Sequence, residues 1–125
     1  MGGATKLDGA GTAKMKTLEE GLTHLQRVHG LVEQMALAIK QKKPTNMFGM
    51  QIRRAATPMV GQLKIQFGPI ADAVTSLVLV ATRGGSEQVR LRSMREMVGQ
   101  IRTAMEITMN KVKEQHSVPI EISDD

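Results

Sequence analysis

Three histidines, twelve carboxylates and no cysteine are what this chain of 125 residues offers for acid–base, metal or thiol chemistry. The absence of cysteine removes disulfides, thiolate zinc sites and cysteine nucleophiles, and it fits a reducing, intracellular setting. His24 and His29 are five residues apart. On a helix that spacing splays them, because neighbours on one face are three or four apart. No third ligand stands near them, so no metal site is expected. Glu19-Glu20 are accounted for by helix capping. Glu87, Glu96 and Glu106 are scattered beside arginines, the pattern of a solvated face. Gly84-Gly85 lacks the preceding strand and the lysine that a phosphate-binding loop requires. The residues therefore point away from an enzyme, and no catalytic residue, cofactor or metal is expected.

One pattern is nearer to known chemistry. A histidine on a bundle helix, followed by a basic residue and a glycine, resembles the acceptor site of phosphotransfer bundles. Arg27 lies three residues after His24, but Val28 stands where such a site has glycine. Gly30 follows His29, but no basic residue lies three beyond it. The resemblance covers a few residues and is incomplete at each of the two histidines.

Charge and apolar excess offer more. The net charge is +5, and residues 40–102 hold eleven Lys/Arg against Asp72, Glu87 and Glu96, a local +8. Lys40, Lys42, Lys43, Arg53 and Arg54 bracket one connection without an acid, which suits an acidic protein segment or the phosphates of a nucleic acid. Nucleic acid is the second choice. Two phenylalanines are the whole aromatic complement, so stacking on bases is poorly served. No tight-turned recognition helix is visible. In an antiparallel bundle residues 40–54 and 83–95 are also expected toward opposite ends. From Ile70 to Ala81 almost every residue is apolar or small, more than one buried stripe needs. Val78 and Leu79 are the candidates for a surplus face that binds a partner helix or a second copy, if a four-helix core does not absorb it. Among the ten methionines, Met94 and Met105 fall on the core seam, while Met97 and Met109 fall off it and suit an adaptable, helix-accepting surface.

These residues need helices to position them. Thr17-Leu18-Glu19-Glu20 has the form of a capping box, followed by Leu18, Leu22, Leu25, His29, Val32, Ala36 and Ile39 in 4-3 spacing. Val28, Leu31 and Met35 widen that stripe, and the helix should stop near Lys42, before Pro44. In the middle, Ile52, Ala56, Met59, Leu63, Gln66, Ile70, Ala73, Leu77 and Val80 keep one phase through two prolines. The favoured reading is a short helix at 47–56 and a long one at 58–82, with Thr57-Pro58 as its start. The alternative is a helix near 47–66 and another near 70–82, broken at Phe67-Gly68-Pro69. Gly84-Gly85-Ser86 punctuates the chain before a last helix carrying Leu91, Met94, Val98, Ile101, Met105, Thr108 and Val112, which ends near His116.

Outside the helices, residues 1–14 are glycine-rich and read as a disordered lead. Residues 117–125 read as an extended acidic tail. The tail resembles a SUMO-interaction motif in Val118, Ile120 and Ile122 followed by Ser123-Asp124-Asp125. No apolar run approaches the roughly 18 residues of a membrane span, and no membrane partner is expected. The expectation is an all-α, antiparallel up-down bundle over residues 15–116, with three long helices and a short one, or four. That architecture resembles the helical bundles that scaffold proteins use for docking, such as focal-adhesion-targeting domains. The resemblance implies a protein-interaction module that binds an amphipathic helix or an acidic segment.

Overall fold

The computed structural model describes residues 4–120. They form four helices and one short strand pair: β1 (Thr5–Leu7), α1 (Gly9–Lys40), α2 (Phe48–Leu63), α3 (Gly68–Thr82), α4 (Glu87–His116) and β2 (Ser117–Pro119). Each helix packs on its sequence neighbours and α1 closes on α4, so the helices make an antiparallel four-membered ring around one core. At 1.5 Å per residue, α1 and α4 are each about 45–48 Å long, while α2 and α3 are about half that. None of the described helices is long and apolar enough to cross a membrane.

Helix α1 buries Met15, Leu18, Leu25, Val28, Val32, Met35 and Ala38. The 4-3 seam holds at Leu18, Leu25 and Val32. Elsewhere the buried side chains are Val28, Met35 and Ala38, while His29, Ala36 and Ile39 sit half-buried at its edge. The reason is geometric: a straight helix turns every 3.6 residues and drifts about 20° per heptad from a strict 3.5 repeat. Helix α4 buries Leu91, Met94, Val98, Ile101, Met105 and Val112, with Thr108 half-buried, as its spacing requires.

The start of α1 corrects the capping expectation. Thr17 lies inside the helix, and its hydroxyl donates to the Ala13 carbonyl. The cap is Asp8, whose Oδ1 accepts from the Gly11 amide at 2.7 Å. Residues 4–14, read as a disordered lead, instead form β1 and the first turns of α1. Tertiary contact overrides the low helix propensity of glycine here. A Cβ on Gly11 would fall 2.4 Å from the Cβ of His116, so the missing side chain lets α1 approach α4. β1 pairs antiparallel with β2, Lys6 opposite Val118, and the Asp8 amide donates to the His116 carbonyl at 2.9 Å. The extended reading of the tail holds for Ser117–Pro119; the acidic part of the SUMO-like pattern, beyond Ile120, lies outside the described residues.

The middle of the chain corrects the favoured long helix. Pro58 lies inside α2, and Pro69 opens α3. Pro58 is exposed, so water can bond the Arg54 carbonyl that its missing N–H leaves free. Thr57 is a helix-interior residue whose hydroxyl donates to the Arg53 carbonyl at 2.6 Å. At Pro69 the chain turns back. The Phe67 amide closes α2 onto the Leu63 carbonyl, and Phe67 then leaves helical geometry at φ −133°, ψ 52°. Gln66, on the sequence seam, is exposed, while Leu63, Phe67 and Ile70 reach the same core from both sides of the turn. The apolar phase runs on because both helices face one interior.

Most of the apolar surplus of residues 70–81 is absorbed by this arrangement, with Leu79 left exposed. Ile70, Ala71, Val74, Leu77, Val80 and Ala81 are buried. A helix with neighbours on two flanks and a core beneath it buries more than one stripe, as the four-helix alternative requires.

Candidate docking surface

The reversal at residues 64–67 brings the α1–α2 and α3–α4 connections to the same end of the bundle. Helix α1 ends there with Lys42 in left-handed backbone geometry, φ 58°. The Lys42 amide bonds the Ile39 carbonyl and the Lys43 amide the Ala38 carbonyl, a Schellman closure with lysine where glycine is usual. The buried Thr45 hydroxyl donates to Glu87, tying one connection to the other. Gly49 in the first turn of α2 lies against the Ala81 carbonyl in the last turn of α3. Gly85, at φ 119°, makes the turn, and the Ser86 hydroxyl accepts from the Val89 amide to start α4. Arg90 Nη1 donates to the carbonyls of Ala81 and Arg83, at 3.4 and 3.0 Å, and so caps α3.

This geometry corrects the expected separation of charge. Residues 40–54 and 83–95 share one end, and together they carry nine Lys/Arg and one acid, Glu87. Around the other end, residues 4–22, 64–72 and 103–120 hold six basic and six acidic residues. Lys40, Lys42, Lys43, Arg53 and Arg54 are all exposed. Arg83, Arg92 and Arg95, also exposed, join them. Arg95 makes a two-pronged pair with Glu33 of α1, at 2.9 and 2.8 Å. The Arg95 hydrogen bonds hold the Glu33 carboxyl below its usual range, and Glu33 raises Arg95.

Apolar side chains stand among these charges. Leu37, Met47, Met50, Leu79 and Val89 are each more than half exposed, and each lies in a helix turn or connection at the basic end. Leu79 is thus placed with the lysines and arginines. Val78, Met97 and Met109 are half-buried against the core and do not form one exposed face with it. Grooves run between the helices close to this end. One, between α1 and α4, is lined by Leu37, Lys40 and Arg95; another, between α1 and α2, by Arg27, Leu31 and Arg54.

The histidines take other places. His29 is half-buried, its Nε2 4.0 Å from Glu33 and its Nδ1 3.4 Å from Arg102. His24 is half-buried on α1. His116 belongs to the far end, between Asp8 at 3.1 Å and the Lys14 amine at 3.2 Å. Among the described residues no group of three His, Asp or Glu is placed to hold a metal ion. The role of Arg90 in closing α3, and the Thr45–Glu87 bond, were beyond sequence reasoning, since neither follows from a local spacing. The co-location of the two basic clusters had one signal, the Gly68-Pro69 pair. The chain matches no protein-family model, no curated protein and no solved structure.

Proposed function

We propose that this chain is a protein-interaction module whose basic end docks an acidic segment of a partner protein that also carries apolar side chains. The observation that supports this reading is the gathering of nine cations at one end against Glu87 and the Arg95-paired Glu33, interleaved with Leu37, Met47, Met50, Leu79 and Val89. The charges raise the encounter rate with an anionic surface. The apolar side chains reward a partner that covers them, which an acidic amphipathic helix does and a phosphate backbone does not. A second copy docking through this end would set like charge against like. The module binds rather than catalyses, and an intracellular scaffold or targeting role is the setting that suits it.

Nucleic-acid binding is the second reading, favoured by the same concentration of charge. Neither phenylalanine is free to stack: Phe67 is buried and Phe48 half-buried. The double variant Lys42→Glu/Arg53→Glu decides between them. Association with a Glu- and Leu-rich peptide should slow mainly in the on-rate, with steep salt dependence and an unchanged circular dichroism spectrum. Tight, sequence-selective binding to DNA or RNA that vanishes in the double variant would overturn the protein-partner reading.

A further inference from the structure

The basic end contains a built pocket as well as a charged surface. The α1–α2 connection, the first two turns of α2, the last turn of α3 and the first turn of α4 border a cavity of about 260 Å3 that opens to solvent, whose polar lining is Thr45, Asn46, Arg53, Thr82 and Arg90. Two arginines thus line one cavity that has no carboxylate in its lining. Arg90 is not a free surface side chain. Its Nη1 is committed to the carbonyls of Ala81 and Arg83, which fixes the guanidinium in place, and its Nε is buried with no hydrogen-bond partner. Arg53 is exposed and, among the described residues, forms no ion pair.

We propose that this cavity is the anchor site for one carboxylate of the docked segment, held by Arg53 and Arg90. The inference rests on the reading of the basic end as a docking surface. A planar guanidinium matches a carboxylate in two-pronged geometry, and a donor fixed beforehand loses little freedom on binding. Glu87 favours a singly charged ligand over a phosphate. Its carboxylate accepts from Thr45, which lines the cavity, and so places a negative charge beside the site. A dianion is repelled there more than a monoanion is. Met50, the largest apolar side chain of the lining, suits the methylene stem of a glutamate.

The test compares Arg53→Gln with Arg54→Gln. The two changes remove the same charge from adjacent positions, but Arg54 lines the α1–α2 groove instead. The probe is a fluorescein-labelled peptide of Glu and Leu, read by anisotropy at low salt. Arg53→Gln should weaken binding about tenfold, as loss of a two-pronged charge-assisted contact does, and Arg54→Gln only about twofold. In nitrogen–proton spectra the Arg90 Nε resonance should move when the peptide is added to the native chain, and butyrate, a monocarboxylate, should compete better than inorganic phosphate. Equal losses in the two variants would overturn the pocket and leave the basic docking end standing. No peptide binding by the native chain would overturn the docking reading itself. Stronger competition by phosphate would overturn the choice of carboxylate. Arg90→Gln removes a cap of α3 and could unfold the end, so Arg53→Gln and the Arg90 resonance decide.

Discussion

Replacing Gly49 with alanine probes the contact on which the shared basic end depends. A Cβ at this position would lie 2.5 Å from the Ala81 carbonyl oxygen, 3.4 Å from its carbon and 3.7 Å from Thr82 Cα. All three are backbone atoms of the last turn of α3, so no rotamer change relieves the clash. Helix α2 must move away by close to 1 Å, disturbing the carbonyl that also accepts from Arg90. Overpacking of this kind costs roughly 1–3 kcal/mol. The opposing gain from replacing glycine in a helix is at most about 1 kcal/mol, and less in a first turn. The expected net loss is about 1–2 kcal/mol, a fall in Tm of roughly 4–8 °C for a chain of this size. Gly61 and Gly99 are the controls. Both lie inside helices with open space where the Cβ would go, so alanine there should stabilise by about 0.5–1 kcal/mol. Thermal and urea unfolding followed at the helical circular dichroism band measure all three. The reasoning is refuted if Gly49→Ala stabilises as the controls do. That outcome would mean that the start of α2 and the end of α3 do not meet at Gly49 and Ala81.

Lys42→Gly should stabilise the chain by about 0.5–1 kcal/mol, because glycine takes the left-handed geometry at φ 58° without the roughly 1–2 kcal/mol that a side chain costs there. A lower unfolding midpoint would count against that Schellman closure. Leu25→Asp and Ile101→Asp, at positions 1% and 2% exposed, should each cost several kcal/mol by burying an uncompensated charge. Indifference to both would place the core elsewhere. The Asp8 carboxyl is held below its ordinary value of 3.8 by the Gly11 amide, and further by the hydrogen bond and charge of His116 and the charge of Lys14. A depressed carboxylate contributes stability above its ordinary pKa and loses it as pH falls through the folded value. Asparagine keeps the cap acceptor but not the charge. The stability gap between native chain and Asp8→Asn should therefore be open at neutral pH and close below about pH 3.8. A gap unchanged by acid would remove the charge from the account.

How much of this was legible depends on the range of the interaction that decides each feature. Helix α4 could be read from end to end. Its heptad residues, the Ser86 cap and the stop before Pro119 are local signals, and local signals survive folding when tertiary contacts agree with them. Helix α1 was legible in its centre but not at its start. Thr17-Leu18-Glu19-Glu20 has the form of a cap, yet packing of Gly11 against His116, a contact across more than a hundred residues, carries the helix two turns further.

The candidate surface turned on two prolines. Pro58 and Pro69 present the same local chemistry, a missing donor and a ring that crowds the preceding turn. Only their surroundings separate them. Pro58 falls on a solvent face, where water serves the freed carbonyl, and the helix runs through it. Pro69 follows Gly68 at the point where Phe67 must turn into the core, and the chain reverses. An unbroken apolar phase cannot report that reversal, because two antiparallel helices facing one core keep the phase that one helix would. Composition and periodicity determined that the chain is a helical bundle with an excess of positive charge. The direction of residues 68–82, and with it the gathering of both basic clusters at one end, was decided by the tertiary structure, since burying α3 against α2 and α4 outweighs the continuity of a single helix.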